Sequence, residues 1–255
     1  MTRFALTIAA SDPSGGAGIE ADLKVFAHYR VFGLSAITGI TVQGPEGIEK
    51  VISTPASDLA RILEIILAKM KPKAVKIGAL ISGEQIKVVK RFLEKSRACA
   101  VLDPVLKSGS GFPLLEKKAW PQLFSLFPLV DLITPNLPEA EALSGVRIKD
   151  KNDMMLGIKR LAQKGAKGIL LKGGHGEGPP EDIFWRGRKT RTFRKKRLSG
   201  RFHGSGCALA SAAASGLALG LSLEKAVERA ESYIDAALES SVEICGVKYL
   251  THIFK

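Results

Sequence analysis

The sequence predicts an α/β fold with a mostly parallel central sheet and helices on both faces. Short apolar segments alternate with longer segments in which apolar residues recur at helical spacing. The short segments are apolar on both sides, which is typical of strands covered by helices on both faces. The 255 residues contain no internal repeat and no linker-like stretch, so we expect one domain spanning residues 1–255.

Strands are predicted where apolar or β-branched residues form a run that polar or Gly-rich sequence bounds on both sides. The first is the apolar run 4–10, and the β-branched run 35–42 is the second. A hairpin over residues 182–193 is expected to turn near Gly187. The other predicted strands are residues 74–80, 98–102, 129–134 and 169–172.

Helices are predicted where apolar residues recur every three or four positions. The segment 153–164 is followed directly by Gly165, a typical residue beyond a helix C-terminus. The segment 208–219 is Ala-rich and apolar on all sides, which predicts a buried helix. The remaining predicted helices are residues 19–29, 59–70, 83–95, 139–144 and 223–241.

Polar and Gly-rich segments follow most of the predicted strands. In open parallel sheets, ligands bind beyond the carboxyl ends of the strands, so these segments are expected to converge on one ligand site. They are residues 11–18, 43–47, 103–111, 135–139, 173–178 and 203–207.

The segment 201–207 carries the clearest chemical signal. Gly204, Ser205 and Gly206 directly precede the apolar helix, so their backbone N–H groups and the positive helix end suit a phosphate or a developing anion. Cys207 falls in the first helical turn, where we expect a lowered thiol pKa and a role as proton acceptor. The same residues also fit an ordinary glycine-containing helix start with a small buried cysteine.

Composition excludes several classes of protein. No apolar run reaches the roughly 18 residues of a membrane span, and the amino-terminal sequence lacks the pattern of a signal peptide. The only cysteines, Cys99, Cys207 and Cys245, are odd in number and widely spaced. They argue against a disulfide framework or a zinc site, and we expect a cytoplasmic protein without a membrane partner.

The net charge of +13 is concentrated in one basic segment near the carboxyl end. The segment fits a solvated loop, or a lid that attracts a polyphosphate, better than a nucleic-acid site, because it matches no nucleic-acid motif. Its basic residues are Arg186, Arg188, Lys189, Arg191, Arg194, Lys195, Lys196, Arg197 and Arg201.

A second glycine pattern invites a different interpretation. Residues 16–21 match GxGxxA after the first strand, as in nicotinamide- or flavin-binding proteins. The loop from Ser11 is longer than that fingerprint requires, and the next strand ends without an acidic residue for a ribose. No GxxxxGK[ST] sequence occurs, which argues against an ordinary P-loop nucleotidase.

Seven segments, taken in order, resemble the hydroxymethylpyrimidine/phosphomethylpyrimidine kinases of thiamine biosynthesis. That family belongs to the ribokinase-like superfamily, so the resemblance implies a three-layer sandwich, ATP as phosphate donor and Mg²⁺. It also implies two successive phosphorylations, first of the hydroxymethyl alcohol and then of its monophosphate, and we expect a homodimer. The segments are residues 10–24, 42–43, 76–78, 102–105, 134–140, 172–175 and 203–207.

The resemblance also implies roles for individual residues. Cys207 stands where related sugar kinases carry an aspartate base, beside the backbone amides of Gly204, Ser205 and Gly206. The implied pyrimidine contacts are Gly18, Asp22, Gln43 and Val105. The implied ATP contacts are Asn136, Lys172 and Gly206, and the implied metal ligands are Glu139 and Asp103.

Several of these residues have simpler interpretations. Asp22 suits the first turn of any solvated helix, and Asn136 with Glu139 suits an ordinary helix start. His175 and His203 are expected to be loop histidines without a catalytic role. A pyridoxal or pyridoxine kinase stays open, because Ala79 would widen the pyrimidine site, and so does a non-catalytic pyrimidine-binding protein.

Overall fold

The computed structural model describes residues 3–173 and 180–253 of the chain. These residues form a large sheet and a small one. The strands are β1 (Phe4–Ser11), β2 (Phe32–Gly44), β3 (Gly47–Ser53), β4 (Ala74–Ile77), β5 (Cys99–Leu102), β6 (Leu132–Ile133), β7 (Ile169–Leu171), β8 (Glu181–Arg186), β9 (Lys189–Arg194), β10 (Phe202–His203), β11 (Val242–Ile244) and β12 (Val247–Tyr249).

The large sheet has nine strands in the described part of the chain, in the order β3-β2-β1-β4-β5-β6-β7-β8-β9. The strands from β2 to β7 in this order run parallel. The antiparallel strands β3, β8 and β9 extend the two edges. The small sheet has the order β10-β12-β11.

Helices cover both faces of the large sheet, as expected for a three-layer sandwich. They are α1 (Gly18–His28), α2 (Ala56–Lys69), α3 (Gly83–Lys95), α4 (Trp120–Leu123), α5 (Leu137–Ser144), α6 (Lys151–Gln163), α7 (Ser205–Ala218) and α8 (Leu223–Glu239). Two 3-10 helices, Lys117–Ala119 and Phe124–Leu129, flank α4.

In β1, β4, β5, β6 and β7, alternate residues pack into two separate hydrophobic cores. Leu6 of β1 packs with the helices from α2 to α6, whereas its neighbour Ala5 packs with α1, α7 and α8. The same alternation explains why the strands are apolar on both sides. None of the described helices combines the length and the apolarity needed to cross a membrane.

Helix α7 is buried along almost its whole length, as its composition predicts. Its small side chains allow close packing against α8. A Cβ atom added to Gly216 would lie 2.9 Å from the Cβ of Ala226. The helix therefore holds its first turn at a fixed position beside the carboxyl edge of the sheet.

The predicted strands, the hairpin and the helices are present, with shifted ends. Helix α7 begins at Ser205, three residues before the predicted start, which places Cys207 in the first turn. Strand β3, the segment 117–129 and the small sheet were not predicted. Charged Glu49 and Lys50 interrupt the β3 pattern, and Pro121 and Pro128 obscure helical spacing.

Candidate active site

The first turn of α7 offers a group of backbone donors that the helix itself does not use. The first backbone hydrogen bond of this helix joins the Ala208 N–H to the Gly204 carbonyl. The N–H groups of Ser205, Gly206 and Cys207 therefore have no partner within the helix, and the positive end of its dipole lies with them. This geometry agrees with the predicted anion site.

Two glycines bring this turn against the loop that follows β1. Gly204 has a φ of +82°, and a Cβ atom on it would overlap the carbonyl oxygen of Gly16. A Cβ atom on Gly16 would in turn overlap the ring of His203. Only glycine at both positions permits this approach, which joins the residues 11–18 loop to the start of α7.

The lowered pKa expected for Cys207 is wrong. The Cys207 side chain is partly buried, and desolvation of its thiol raises the pKa to about 11. The positive charge of Lys76 and a hydrogen bond from the Gly18 backbone lower this pKa, but the charges of Asp103 and Asp22 oppose them. The sulfur is therefore a thiol at neutral pH, because desolvation outweighs the helix dipole.

Direct contact between Asp22 and a ligand is also contradicted by its position. The Asp22 side chain is 0% exposed, and its oxygens lie 2.8 and 2.9 Å from the Nζ of Lys76. Thr7 and Ser211 donate further hydrogen bonds at 2.6 and 2.7 Å. Through these hydrogen bonds, Asp22 connects its own helix, α1, to β1, β4 and α7 in the protein interior.

Burial alone would lower the pKa of Lys76, but the charge of Asp22, followed by those of Cys207 and Asp103, raises it. Lys76 therefore remains a cation in the interior. It supplies a fixed positive charge below the start of α7.

Asp12 is the centre of the hydrogen-bond network in the loop after β1. Its Oδ1 accepts hydrogen bonds from the Ser14 hydroxyl at 2.7 Å and from the Gln43 amide. Its Oδ2 accepts from the Ala17 N–H at 2.8 Å and lies 2.7 Å from the Nε2 of His203. This network links the end of β2 to the residue preceding Gly204.

The other two predicted pyrimidine contacts lie at the same edge of the sheet. Gly18 has a φ of +59°, and a Cβ atom on it would overlap the Ala10 carbonyl oxygen. Its glycine identity is therefore required by the fold. Val105 is half-buried, and its N–H donates to the Asp103 carbonyl at 2.8 Å. Their contact with a ligand remains a prediction.

Near the start of α7, Lys172 and Asp103 form an ion pair. The Nζ of Lys172 lies 3.1 Å from the Oδ1 of Asp103, which also accepts from the Thr134 hydroxyl at 3.2 Å. A Cβ atom on Gly206 would lie only 3.0 Å from that Nζ. The ammonium group therefore approaches the helix start closely, as a phosphate contact requires.

Asn136 and Glu139 form a capping box at the start of α5. The Glu139 N–H donates to Asn136 Oδ1, and the Asn136 N–H donates to Glu139 Oε2, both at 2.9 Å. The ordinary helix-start interpretation is therefore confirmed. Burial raises the pKa of Glu139 to about 7, with Lys172 opposing and Asp103 adding to the shift. The ATP and metal roles remain predictions.

The predicted donor set for a divalent cation consists of two carboxylates, Asp103 and Glu139. No cluster of three or more His, Cys, Asp or Glu side chains suited to a metal occurs among residues 3–173 and 180–253. The charge of Asp103 nevertheless raises the pKa of Glu139, and both carboxylates raise the pKa of Lys172. One or two carboxylates completed by substrate phosphates and water is the usual arrangement for Mg²⁺, so these residues fit the ion.

Three residues of the basic segment pair with the acidic face of α8. Arg186 pairs with Glu224 at 3.2 Å, and Arg191 pairs with Glu228 at 2.9 Å. Lys195 lies 2.6 Å from the buried carboxylate of Glu231. The hairpin β8–β9 is thus fastened to α8, which accounts for part of the charge without a nucleic-acid partner.

Sequence reasoning missed several residues of this network. Asp12, His203 and Lys76 organise the site, although none of them was predicted to have a role in it. Their partners lie far along the chain, 191 residues apart for Asp12 and His203 and 54 residues apart for Asp22 and Lys76. The part of the predicted loop beyond Gly173, including His175, lies outside the described residues.

Comparison with known proteins agrees with this arrangement. The family model described as phosphomethylpyrimidine kinase matches residues 12–252. A hydroxymethylpyrimidine/phosphomethylpyrimidine kinase of Synechococcus elongatus is 36% identical over 245 residues, which cover 94% of this chain and 93% of that protein. The Geobacter sulfurreducens thiamine biosynthesis bifunctional protein is 40% identical over 81% of this chain, but the match spans 43% of its length.

The fold comparison identifies a related kinase. The ADP complex of Bacillus subtilis pyridoxal kinase superposes with a TM-score of 0.92 at 30% identity, covering 99% of this chain and 98% of that one. This likeness confirms the ribokinase-like sandwich implied by the sequence. The family match spans both sides of the site, from the loop at Asp12 to the residues beyond α7, and the chain therefore belongs to the phosphomethylpyrimidine kinase family.

Proposed function

We propose that this chain transfers the terminal phosphoryl group of ATP to hydroxymethylpyrimidine, and then to the resulting monophosphate. The observation that carries the proposal is the start of α7, where unpaired N–H groups adjoin Cys207. The Asp12 network adjoins this turn through His203, and the Lys172 ammonium lies close to Gly206. An acceptor alcohol and a donor phosphate can therefore meet at one anion site.

In the first transfer, the alcohol oxygen forms a bond to the terminal phosphorus while the bond to the bridging oxygen breaks and ADP leaves. The N–H groups of Gly204, Ser205 and Gly206 stabilise the charge on the transferring group. Gly206 allows the Lys172 ammonium to approach the same oxygens. Asn136 lies beside Lys172 through a bridge between their backbones and supports the ATP side.

The alcohol must also lose its proton, and Cys207 is the acceptor in this proposal. Because the pKa of its thiol is about 11, only a small fraction is thiolate before ATP binds. That thiolate is a correspondingly strong base, and the proton moves late in a loose phosphoryl transfer. The second transfer attacks an already ionised phosphate oxygen, so it needs this acceptor less.

Asp103 and Glu139 would hold Mg²⁺ against the ATP phosphates, where the ion neutralises developing charge. Asp103 shares its carboxylate with Lys172, and Glu139 is held by its capping box. The predicted substrate contacts Gln43, Gly18 and Val105 complete the proposal, whereas Asp22 supports the site from below.

Pyridoxal is the second candidate substrate. The close structural match to the Bacillus subtilis pyridoxal kinase favours it, and the small side chain of Ala79 leaves space for a bulkier ring. Gln43 favours the aminopyrimidine, since an amide can pair with an exocyclic amine and a ring nitrogen.

An ATP-coupled assay separates the two candidates. We expect ATP consumption with hydroxymethylpyrimidine at a kcat/KM at least tenfold above that for pyridoxal. The reverse order would assign the chain to pyridoxal phosphorylation. Binding of either ring without ATP consumption would identify a non-catalytic binding protein.

A further inference from the structure

The orientation of the Gln43 amide is set by Asp12. The Nε2 of Gln43 donates to the Oδ1 of Asp12, a carboxylate that is 3% exposed. The same carboxylate is fixed from other directions by Ser14, Ala17 and His203. The hydrogen-bond partner of Gln43 is therefore itself immobilised by the surrounding loop.

Chemistry decides which end of the amide faces Asp12. Burial would raise the pKa of Asp12, but hydrogen bonds from His203 and Ser14 and the charge of His203 hold it well below its usual range. An ionised carboxylate only accepts hydrogen bonds, so the NH₂ end of Gln43 must face it. The opposite orientation would place two acceptors together.

One amide hydrogen remains for a ligand, next to the Oε1 acceptor. Among residues 3–173 and 180–253, no hydrogen bond to Gln43 Oε1 is found, and the side chain is half-buried. The free edge of the amide thus presents one acceptor and one donor in a fixed order. A ring with an amine beside a ring nitrogen presents the complementary donor and acceptor.

An oxygen in place of that amine reverses the match. The Oε1 of Gln43 and the oxygen on the ring would then both be acceptors. Gln43 could relieve this conflict only by turning its amide, which would break the hydrogen bond to Asp12. The aldehyde of pyridoxal sits next to the reacting alcohol, as the amine does in hydroxymethylpyrimidine. That aldehyde oxygen is likewise an acceptor, and it cannot donate to Gln43 Oε1 as the amine does.

We propose that Asp12 is a positioning residue that sets substrate selectivity, by holding Gln43 so that an amine next to the reacting hydroxymethyl group is accepted and an oxygen there is rejected. This inference rests on the proposed function. It concerns selectivity between ligands and not the presence of the kinase activity. The position of Asp12, bonded to the residue before Gly204, places this selection beside the anion site.

The test compares hydroxymethylpyrimidine with its 4-oxo analogue in the ATP-coupled assay. For the wild-type protein we expect kcat/KM to fall at least tenfold on replacing the amine by oxygen. In Asp12→Asn, whose amide can pair with either end of Gln43, this penalty should shrink to about threefold or less. Ser14→Ala is the matched control, because it removes another hydrogen bond to Asp12 and should retain the full penalty.

A double-mutant cycle shows whether Asp12 acts through Gln43. Gln43→Met should reduce the penalty as Asp12→Asn does, and adding Asp12→Asn to it should change the penalty no further. An equal kcat/KM for both rings in wild type, or a full penalty in folded Asp12→Asn, would overturn the inference. If Asp12→Asn does not fold, the ratio of kcat/KM for the two rings is compared between wild type and Gln43→Met. A full penalty in Gln43→Met would then overturn the inference.

Failure of the proposed kinase activity can be distinguished from failure of the selectivity inference about Asp12. If the wild-type protein consumes no ATP with hydroxymethylpyrimidine, the proposed kinase activity fails. Calorimetric binding of the two rings then still measures the selectivity attributed to Asp12. Equal affinity for both rings would overturn the inference on its own.

Discussion

The carboxylate of Asp22 and the ammonium of Lys76 form an ion pair at 2.8 Å, and neither side chain is exposed to solvent. Thr7 and Ser211 complete the hydrogen bonds of the carboxylate. Because Ser211 lies one turn after Cys207 on α7, this buried pair connects the sheet to the helix that carries the anion site. It places a fixed charge of each sign directly beneath the site.

Replacing Lys76 should destabilise the protein strongly. Lys76→Met leaves Asp22 buried without its counter-charge, and we expect a loss of about 3–5 kcal/mol in the free energy of unfolding. Denaturant unfolding measures it. Lys87→Met is the control, since Lys87 and its partner Glu84 are exposed, and its transition midpoint should not move. A Lys76→Met midpoint equal to that of wild type would refute the structural role.

The Cys207 thiol should react slowly with alkylating reagents at neutral pH. Its pKa of about 11 leaves about one thiolate in a thousand at pH 8, so the rate should rise tenfold per pH unit to about pH 11. Iodoacetamide kinetics in a Cys99→Ser, Cys245→Ser background isolate this thiol. A rate that levels off near pH 8 would show that Lys76 and the helix dipole outweigh burial.

Glu139 should make stability depend on pH around neutrality. Its pKa of about 7 in the folded state exceeds the ordinary glutamate value of 4.5, so the folded protein favours the protonated form. This contribution is complete below pH 4.5 and is lost as pH rises through 7. Glu139→Gln keeps a hydrogen-bond acceptor for the capping box and avoids that loss.

At pH 8 without Mg²⁺, Glu139→Gln should therefore be more stable than wild type by about 1–3 kcal/mol, and the difference should vanish near pH 4.5. Urea unfolding at both pH values tests it. If the variant is less stable than wild type at pH 8, the carboxylate is ionised and well paired in the folded protein.

Gly204 should not tolerate a side chain. A Cβ atom there would overlap the Gly16 carbonyl oxygen, and the alanine would have to keep a φ of +82°. Gly204→Ala should therefore lower the free energy of unfolding by about 4 kcal/mol or more, or abolish folding. Gly187→Ala is the matched control, because Gly187 also has a positive φ, +61°, but faces open space. Its cost should stay at about 1–2 kcal/mol by thermal unfolding. Equal costs at the two positions would mean that the loops do not touch.

Local pattern predicted the layers of the fold but not all of its strands. The parallel strands are continuous apolar runs, and Gly187 marks the hairpin turn with its positive φ. Strand β3 lies at the edge of the sheet and is mostly exposed, so its composition resembles a loop. In the small sheet, β10 pairs with β12 across about 46 residues, a relation that periodicity does not contain, and the local hairpin of β11 and β12 has strands of only three residues each.

The site was predictable where its chemistry is local. The Gly204–Cys207 turn and the capping box at Asn136 are contiguous in sequence, and the structure shows both. Asp22 was assigned to the substrate by resemblance, but its burial depends on Lys76 and Ser211, which lie on other elements. The pKa of Cys207 likewise depends on desolvation, which no short motif reveals.

The most direct test of the account measures the two phosphoryl transfers separately, in wild type and in Cys207→Ala, with ATP and Mg²⁺. The wild-type protein should consume ATP both with hydroxymethylpyrimidine and with its monophosphate. Cys207→Ala should slow the first transfer by about a hundredfold or more and the second by less than about tenfold. A folded wild-type protein that phosphorylates neither compound would contradict the kinase assignment, and equal losses in both steps would contradict the role of Cys207.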